Sequence, residues 1–193
     1  MQNEVIKNDG LKNFELELKK VFLLEDPYIA KVLLALVISQ FTSNDPAWTV
    51  IVGPSGGGKS EFINMLSLFK WTPPGENQQQ QVVTAVSTLT ARTLVSGFKA
   101  AGKDPSLLTQ ITRGIITIKD MTSLLSEHKD DKAVIMGQLR EVYDGKYNKK
   151  FGNGEEVNWH GKITVIAAAT YAIHSMKAQY VAMGERFLFY NLI

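Results

Sequence analysis

The chain contains no cysteine and only three histidines, His128, His160 and His174. The absence of cysteine excludes disulfides, thiolate zinc sites and cysteine nucleophiles. The histidines are scattered without the spacing of metal ligands, so a metal site built on them is not expected. The formal net charge is only +2, which is too small to indicate nucleic-acid binding by itself. Any basic surface that binds nucleic acid must therefore be confined to one part of the chain.

A long hydrophobic run is also missing. The most apolar window, residues 21–41, contains Glu25, Asp26, Pro27 and Lys31, which excludes a membrane span or a signal peptide there. We therefore expect a cytoplasmic protein with no membrane partner. A chain of 193 residues with ordinary globular composition is long enough for one domain, with or without a small appendage.

The most informative stretch begins with a short apolar run. Residues 49–52 (TVIV) are mostly β-branched, and they predict a buried strand of a parallel sheet. Phe62, Ile63 and Leu66 recur at helical spacing further on. Between strand and helix, eight residues meet the phosphate-binding pattern G-x-x-x-x-G-K-S without a departure: Gly53, Pro54, Ser55, Gly56, Gly57, Gly58, Lys59 and Ser60. A glycine-rich turn carrying a lysine by chance is the alternative, and the order strand, loop, helix argues against it.

Each residue type in this pattern has a physical task. Glycines let the backbone curl with its N–H groups inward, and the helix that follows adds the positive end of its dipole. Lys59 brings a full charge to the β- and γ-phosphates, and the Ser60 hydroxyl is a ligand for Mg²⁺. We therefore predict a nucleoside triphosphate site, with ATP and Mg²⁺ as cofactors, formed by residues 53–60 and the adjoining Glu61.

The remaining patterns predict an α/β fold in which a mainly parallel five-stranded sheet lies between two helical layers. Residues 1–45 form an N-terminal pair of helices, the second capped by Asp26, and residues 46–193 form the core. Further strands are expected at residues 82–86, 115–118, 162–169 and 187–192. Helices are expected from Thr90 to Phe98 and at residues 133–143 and 171–183, and residues 76–81 are expected to be a solvated polar connection.

Asp120 follows the apolar strand at residues 115–118, about 60 residues after Lys59. An acidic residue at the tip of such a strand is where nucleotide-binding α/β folds orient the water shell of Mg²⁺. Asp120 is therefore the second predicted site residue. Capping of the next helix by Asp120, Thr122 or Ser123 is the alternative.

The residue after this aspartate departs from expectation. Many ATPases of this architecture have a glutamate there to polarise the attacking water, whereas this chain has Met121. Glu61, Glu127 and Glu141 are substitutes that no pattern favours. The general base is left unassigned.

Residues 146–161 predict a β-hairpin that projects from the body, with its turn at Gly152-Asn153-Gly154. Its first arm carries three lysines interleaved with two aromatic residues: Lys146, Lys149 and Lys150, with Tyr147 and Phe151. This composition suits phosphate neutralisation and base stacking. A solvated surface hairpin has the same composition, so both interpretations stay open.

Two further residues are placed near strand ends. Thr170 comes directly after the strand at residues 162–169, where a short polar side chain could orient a water against the γ-phosphate. Arg186 precedes the last strand. It forms either a surface ion pair with Glu185 or a charge offered to the phosphate of a neighbouring subunit.

The order of these motifs resembles AAA+ ATPases that have a hairpin inserted before the sensor strand. These include the superfamily 3 and phage or plasmid primase-associated helicases and the minichromosome maintenance helicases. The stretch GQLREVYDGKYNKKFGNGEEVNWHGKITVIAAATY looks like their helix, hairpin and sensor region, and GERFLFY resembles their arginine-finger segment. The likeness covers residues 48–192, and only the G-x-x-x-x-G-K-S motif is specific by itself.

The resemblance implies a P-loop NTPase fold in which the sensor strand lies between the two phosphate-site strands. It also implies Thr170 as sensor, Arg186 as an arginine finger acting in trans, and Lys149 or Lys150 on a hairpin facing DNA. The resemblance further implies that the chain assembles into a homo-oligomeric ring, such as a hexamer, in a bacterial or phage-infected host cell. Met121 departs from the family pattern, and few residues follow the last strand to form a helical lid.

These observations predict an ATPase that acts on DNA as a helicase or remodeller in the replication of a phage or mobile element. A small-molecule kinase using the same loop is one alternative. A nucleotide-dependent switch or scaffold with little turnover is another, which Met121 makes credible.

Overall fold

The structure is a computed structural model, and it describes residues 10–21, 26, 28–72, 77, 80–98, 104–176 and 184–193. Its helices are α1 (Gly10–Val21), α2 (Ile29–Ser39), α3 (Lys59–Leu66), α4 (Ala91–Leu94), α5 (Leu107–Gln110), α6 (Met121–Leu125), α7 (Lys129–Tyr143) and a 3₁₀ helix (Tyr171–Met176). Its strands are β1 (Trp48–Val52), β2 (Lys70–Trp71), β3 (Gln80–Gln81), β4 (Val83–Val86), β5 (Arg113–Ile118), β6 (Lys146–Lys150), β7 (Glu156–His160), β8 (Lys162–Ala169) and β9 (Phe187–Asn191).

Five strands form one sheet in the order β4-β5-β8-β1-β9, and each neighbouring pair is parallel. β8 lies between β5 and β1, which confirms the strand order that the resemblance implied. Val52 is level with Ala169, and Ile118 is level with Ala167, so β1 and β8 end together and β5 ends two residues earlier at the same side of the sheet. We call this end of the sheet the carboxyl edge and the opposite end the amino edge.

Alternate residues of the strands face two separate hydrophobic cores. In β1, Trp48, Val50 and Val52 face one core, whereas Ile51 faces the other. Side chains of α6 and α7 complete the first core, and those of α2 and α3 complete the second. Because helices cover both faces, the strands read as continuous apolar runs. The arrangement confirms the predicted α/β class and is compatible with a three-layer fold.

The start of α2 is tied to the end of the last strand. Asp26 Oδ1 accepts hydrogen bonds from the amides of Tyr28 at 2.8 Å and Ile29 at 3.2 Å, but the N-cap residue is Tyr28, so the helix begins two residues later than a cap at Asp26 predicted. The same carboxylate accepts the hydroxyl of Tyr190 at 2.8 Å and the amide of Ile193 at 3.3 Å. Burial, followed by the contact with Asp26, raises the pKa of Tyr190. The hydroxyl therefore remains a donor over the whole physiological range.

The end of α2 is bound to the amino edge of the sheet. Lys162 Nζ donates to the carbonyl oxygens of Ser39 at 3.0 Å and Thr42 at 2.9 Å, and Arg113 Nη2 donates to that of Gln40 at 2.9 Å. A helix leaves its last carbonyls without intrahelical partners and favours cations there. Two strands therefore supply the cap of α2, and the helix and the sheet form one folded unit.

The hairpin formed by β6 and β7 exists where it was predicted, but it packs on the body. Tyr147, Val157 and Trp159 are buried in the first core. The indole Nε1 of Trp159 donates to the carbonyl of Ile111 at 2.7 Å. Buried or half-buried positions alternate with exposed ones along both strands, which gives the hairpin one inner and one exposed face. The prediction of a projecting hairpin is therefore wrong.

The helix capped by Thr90 is shorter than predicted. Thr90 accepts a hydrogen bond from the amide of Thr93, and the Thr93 hydroxyl accepts one from the amide of Thr90, both at 3.2 Å. This capping box confirms the predicted start of the helix. The helix ends at Leu94 instead of Phe98, because the backbone is already extended at Val95.

Two other predicted segments fall partly outside the described residues. The polar connection expected at residues 76–81 ends in β3, which pairs antiparallel with β2. The helix expected at residues 171–183 begins with the 3₁₀ helix, and residues 177–183 lie outside the part of the chain that the structure describes.

Candidate functional site

The loop between β1 and α3 is curled. This segment, residues 53–58, is called the glycine loop below. The amide of Gly57 donates to the carbonyl of Pro54 at 3.1 Å, which closes a tight turn inside the loop. Gly56 has a φ of 76° and Gly58 a φ of 72°. Side chains other than glycine are strained in this left-handed region, so the curl depends on these two glycines.

Several amides of the loop remain able to bind an anion. Among the backbone–backbone hydrogen bonds of the described residues, none has the amide of Gly56, Gly58, Lys59 or Ser60 as its donor. They lie at the start of α3, where a helix leaves its first amides without intrahelical acceptors. Residues 54–57 are exposed, so an anion can reach these groups. Convergent amides at a helix N-terminus are a physical basis for phosphate binding.

Lys59, the first residue of α3, has a buried side chain that is held against the glycine loop. It is only 7% exposed, and its Nζ donates to the carbonyl of Pro54. Burial lowers the pKa of Lys59, and the negative charge of Asp120 opposes that shift. Because the Asp120 charge counteracts the lowering of this pKa, Asp120 must lie close enough to interact electrostatically with the Lys59 amine. A bound phosphate would compete with the Pro54 carbonyl for the ammonium group.

The next two residues lie in the first turn of α3. Ser60 is half-buried and Glu61 is exposed. The Glu61 carboxylate accepts a hydrogen bond from Asn64 Nδ2 at 3.2 Å, one turn further along the helix. A carboxylate in the first turn is favoured by the helix dipole. The position of Glu61 therefore has a structural explanation that does not require a ligand.

Asp120 lies beyond the end of β5, at the carboxyl edge, and is exposed. Its Oδ1 accepts hydrogen bonds from the amides of Thr122 at 2.9 Å and Ser123 at 3.3 Å, and its Oδ2 accepts the Ser123 hydroxyl. Asp120 is thus the N-cap of α6, as the alternative interpretation predicted. A carboxylate has about four lone-pair sites, so this cap leaves capacity for a cation. The metal role stays a prediction.

Ser60 and Asp120 offer the oxygen donors that Mg²⁺ prefers. Within the described ranges, no group of three or more histidine, aspartate and glutamate side chains could hold a metal ion. Mg²⁺ usually keeps several waters and takes one or two protein oxygens together with substrate phosphates. One hydroxyl and one carboxylate therefore fit this cation without a larger ligand cluster.

Thr170 lies beyond the end of β8 and is joined to the start of α6. Its amide donates to the hydroxyl of Thr122 at 3.1 Å, and the two hydroxyl oxygens are 3.4 Å apart. Both residues are half-buried. The sequence predicted Thr122 only as a helix cap. The one local feature that points to the contact between Thr122 and Thr170 is the Thr122 hydroxyl, two positions after Asp120. The capping role already accounted for that hydroxyl.

The position directly after Asp120 cannot hold a solvent-facing acid. Met121 is 1% exposed and belongs to the first core. A glutamate there would bury a charge at high cost. Of the alternatives, Glu127 lies with Arg92 and Asp131 around a separate cavity of about 430 Å³. The structure therefore assigns no general base.

Arg186 is not brought to the glycine loop. Phe187 pairs with Trp48 at the start of β1, so Arg186 lies at the amino edge, roughly 17 Å away along a five-residue strand. Its Nη2 lies 2.9 and 3.1 Å from the carboxylate oxygens of Asp144, and its guanidinium lies 5.4 Å from the Tyr143 ring centroid. Asp144 is a partner that the sequence did not indicate.

The hairpin lysines point to different faces. Lys146 and Lys150 are exposed, whereas Lys149 lies on the inner face and is half-buried. Lys150 Nζ is 3.8 Å from a Glu156 carboxylate oxygen, and Lys149 Nζ is 5.1 Å from the Phe151 ring centroid. The three lysines therefore do not form one continuous basic stripe, and DNA binding by this hairpin stays a prediction.

Among the described helices, none combines the length and the apolar character needed to cross a membrane. Comparison of the chain with known protein families finds no match, and comparison with curated proteins finds none.

Proposed function

We propose that the chain binds ATP with Mg²⁺ and hydrolyses the γ-phosphate, as an AAA+-like P-loop motor domain. One observation carries the proposal: Lys59, Asp120 and Thr170 follow three adjacent strands and converge at the carboxyl edge beside the glycine loop. Open α/β sheets bind their ligands outside the carboxyl ends of the strands. An ammonium, a carboxylate and a hydroxyl at this place suit a magnesium-bound polyphosphate.

When ATP binds, the Lys59 ammonium is proposed to exchange one hydrogen-bond acceptor for another. The ammonium leaves the Pro54 carbonyl and contacts the β- and γ-phosphate oxygens, while the loop amides donate to the same oxygens. Ser60 and Asp120 would hold the cation, which when bound neutralises charge on the β- and γ-phosphates. The half-buried setting strengthens these contacts because less water screens them.

The hydrolytic step is transfer of the γ-phosphoryl group to water. The bond from phosphorus to the bridging oxygen breaks, a bond to the water oxygen forms, and the water proton passes to a phosphate oxygen or to solvent. Thr170 is placed to orient the water through its hydroxyl, held in position by Thr122. Positioning and charge neutralisation are the main catalytic terms in such reactions.

The same proposal includes assembly of the chain into an oligomer and binding of nucleic acid. Arg186 lies at the edge opposite its own glycine loop, which suits a charge offered to the site of a neighbouring subunit. A homo-oligomeric ring, such as a hexamer, would juxtapose the two edges. DNA is the proposed substrate of the motor, with the exposed face of the hairpin as its contact.

The burial of Met121 favours a second candidate function. Without an acid after Asp120, turnover would be slow, and the chain would act as a nucleotide-dependent switch. A switch of this kind binds ATP tightly, hydrolyses it slowly and contacts a protein partner instead of DNA. The two candidates share the ATP site and differ in turnover and partner.

The primary test measures ATP binding by calorimetry and turnover by phosphate release. Lys59→Ala should abolish both, because it removes the full positive charge that adjoins the glycine loop. Lys129→Ala, an exposed lysine on α7, is the matched control and should behave like wild type. Wild-type affinity and turnover in the Lys59→Ala variant would refute the proposal.

A second measurement separates the candidate functions. Turnover is determined with and without single-stranded DNA, alongside solution mass with ATP. Stimulation by DNA together with assembly supports the motor, whereas tight binding with negligible turnover supports the switch. A monomer that transfers phosphate to a small-molecule hydroxyl would indicate a kinase, and it would leave Arg186 dispensable.

A further inference from the structure

Two stacked rings lie at the carboxyl edge, next to the proposed phosphate site. Tyr171 and His174 belong to the 3₁₀ helix that follows Thr170, and their ring centroids are 6.4 Å apart with an interplanar angle of 22°. Tyr171 is 48% exposed. The outer face of this ring pair is therefore accessible to a ligand.

The 3₁₀ helix passes from the end of β8 to the end of β9. The Tyr171 hydroxyl donates to the carbonyl of Leu192 at 3.4 Å, and a ring nitrogen of His174 lies 3.2 Å from Asn191 Oδ1. Since β1 lies between β8 and β9, the helix crosses beside the point where the glycine loop leaves the sheet.

Contacts across β1 place the rings close to the loop. The amide of Gly53 donates to the carbonyl of Ala169 at 3.2 Å, only two residues before Tyr171. On the other side, Leu192 Cδ1 lies 3.2 Å from where a Cβ on Gly53 would be. Leu192, which accepts the Tyr171 hydroxyl, thus contacts the first residue of the loop. The ring pair and the loop share one edge of the sheet.

The direction of a bound nucleotide follows from the order of the strands. Asp120 and Thr170 follow β5 and β8, on one side of β1, and the terminal phosphates belong with them. The nucleoside must then extend to the other side, toward the end of β9. Tyr171 reaches that side through its hydroxyl contact with Leu192.

We propose that the exposed ring of Tyr171 is a stacking platform for the base of the nucleotide whose phosphates occupy the glycine loop. The inference rests on the proposed ATP site and adds its base-binding half. Every base has a π face, so stacking selects a nucleotide over a bare polyphosphate with little preference among bases. His174 stacks behind Tyr171 and, through Asn191, holds the platform against β9.

The test compares ATP with inorganic tripolyphosphate, which has the phosphates and no base. Calorimetric titration in the presence of Mg²⁺ is performed on wild type, Tyr171→Ala and Tyr171→Phe. Tyr171→Ala should weaken ATP binding roughly 5- to 150-fold, the range for one stacked base, and leave tripolyphosphate binding unchanged. Tyr171→Phe keeps the ring and should bind ATP like wild type. ATP and GTP should lose affinity to a similar degree.

Phe98 supplies the matched control, since its ring is 65% exposed and the residue lies four positions after the end of α4. Phe98→Ala should change neither titration. The inference is overturned if Tyr171→Ala leaves ATP binding unchanged, or weakens both ligands equally. Wild type that binds tripolyphosphate and ATP with equal affinity would also overturn it while leaving the phosphate site intact. Wild type that binds neither ligand would overturn the ATP site and the platform together.

Discussion

The backbone amide of Thr170 donates a hydrogen bond to the hydroxyl of Thr122 at 3.1 Å. This contact links the end of β8 to the first turn of α6, whose N-cap is Asp120. The carboxylate proposed to orient the metal and the hydroxyl proposed to orient the water are thus held by one short network. A substitution at Asp120 should therefore affect the position of Thr170, and a substitution at Thr170 should affect that of Asp120.

Thr122→Val removes this hydroxyl and keeps the shape of the side chain. The Thr170 amide loses its acceptor, at a cost of about 1–3 kcal/mol in the free energy of unfolding if it stays dry. We expect turnover to fall roughly tenfold to a hundredfold, because small displacements of a positioning group are costly. ATP affinity should change little, and Thr122→Ser should restore turnover. Unchanged single-turnover hydrolysis in the valine variant would contradict the role given to Thr122.

Substitutions of Asp120 separate its capping role from its metal role. Asparagine caps a helix about as well as aspartate, so Asp120→Asn should unfold like wild type but lose Mg²⁺-dependent turnover. Asp120→Ala should lose both, with a stability cost of about 1 kcal/mol. Ser123→Ala, which removes only a contact to the carboxylate, is the control. If Asp120→Asn retains its response to Mg²⁺ in a turnover assay, Asp120 is a cap alone.

The lowered pKa of Lys59 predicts that ATP affinity declines in alkaline solution. Phosphate favours the ammonium form, so affinity stays constant while Lys59 is protonated in the free protein. It should weaken as the pH rises through the lowered pKa, in a window below the ordinary value of 10.5. Lys59→Arg stays charged and should lack this decline, although its affinity is lower.

Calorimetric titrations between about pH 8 and pH 10 measure this effect, because phosphate groups of ATP are already deprotonated there. The difference between wild type and Lys59→Arg isolates the contribution of the lysine. A parallel loss of affinity in both proteins would assign the decline to another group.

Arg186 and Asp144 can be tested as a pair. If Arg186 serves only this ion pair, Arg186→Gln and Asp144→Asn should have equal and small effects, below about 1 kcal/mol in unfolding free energy. The proposed role in trans predicts an asymmetry: only Arg186→Gln lowers turnover, and only at concentrations where subunits assemble. Phosphate release measured over a dilution series checks this. Wild-type turnover per subunit that is independent of concentration would exclude the role in trans.

The two faces of the hairpin predict different effects on DNA binding. Lys146→Ala combined with Lys150→Ala should weaken binding of a single-stranded oligonucleotide and reduce the slope of log affinity against log salt by about 1.4. Lys149→Ala should have a smaller effect, because Lys149 lies over Phe151. Fluorescence anisotropy over a salt series measures both. An unchanged slope in the double variant would identify the hairpin as an ordinary solvated surface.

The strands and the glycine loop could be predicted because their signals are local. A strand covered on both faces is apolar at most positions, and residues 49–52, 115–118 and 162–169 show this, with threonine as the main polar exception. The position of Asp120 followed from the end of such a run. The same argument could have predicted the packed hairpin, since Tyr147, Val157 and Trp159 alternate with polar residues in the period of a half-buried strand.

Contacts between distant parts of the chain leave no such signal. Tyr190 and Asp26 are 164 residues apart, and Thr170 and Thr122 are 48 apart. Each of these residues has an adequate local explanation as a cap or as part of a strand. The edge of the sheet that holds Arg186 likewise depends on register, which the sequence around it does not specify.

The carbonyl of Ser39, at the end of α2, accepts a hydrogen bond from Lys162, 123 residues later in the chain. A helix made early in synthesis is therefore completed late, when β8 enters the sheet. Pairings of such long sequence separation slow folding. Until then α2 lacks the contribution of Ile166 and Ala168 to the second core, so a nascent chain stalled before β8 should depend on chaperones and be open to proteolysis at this helix.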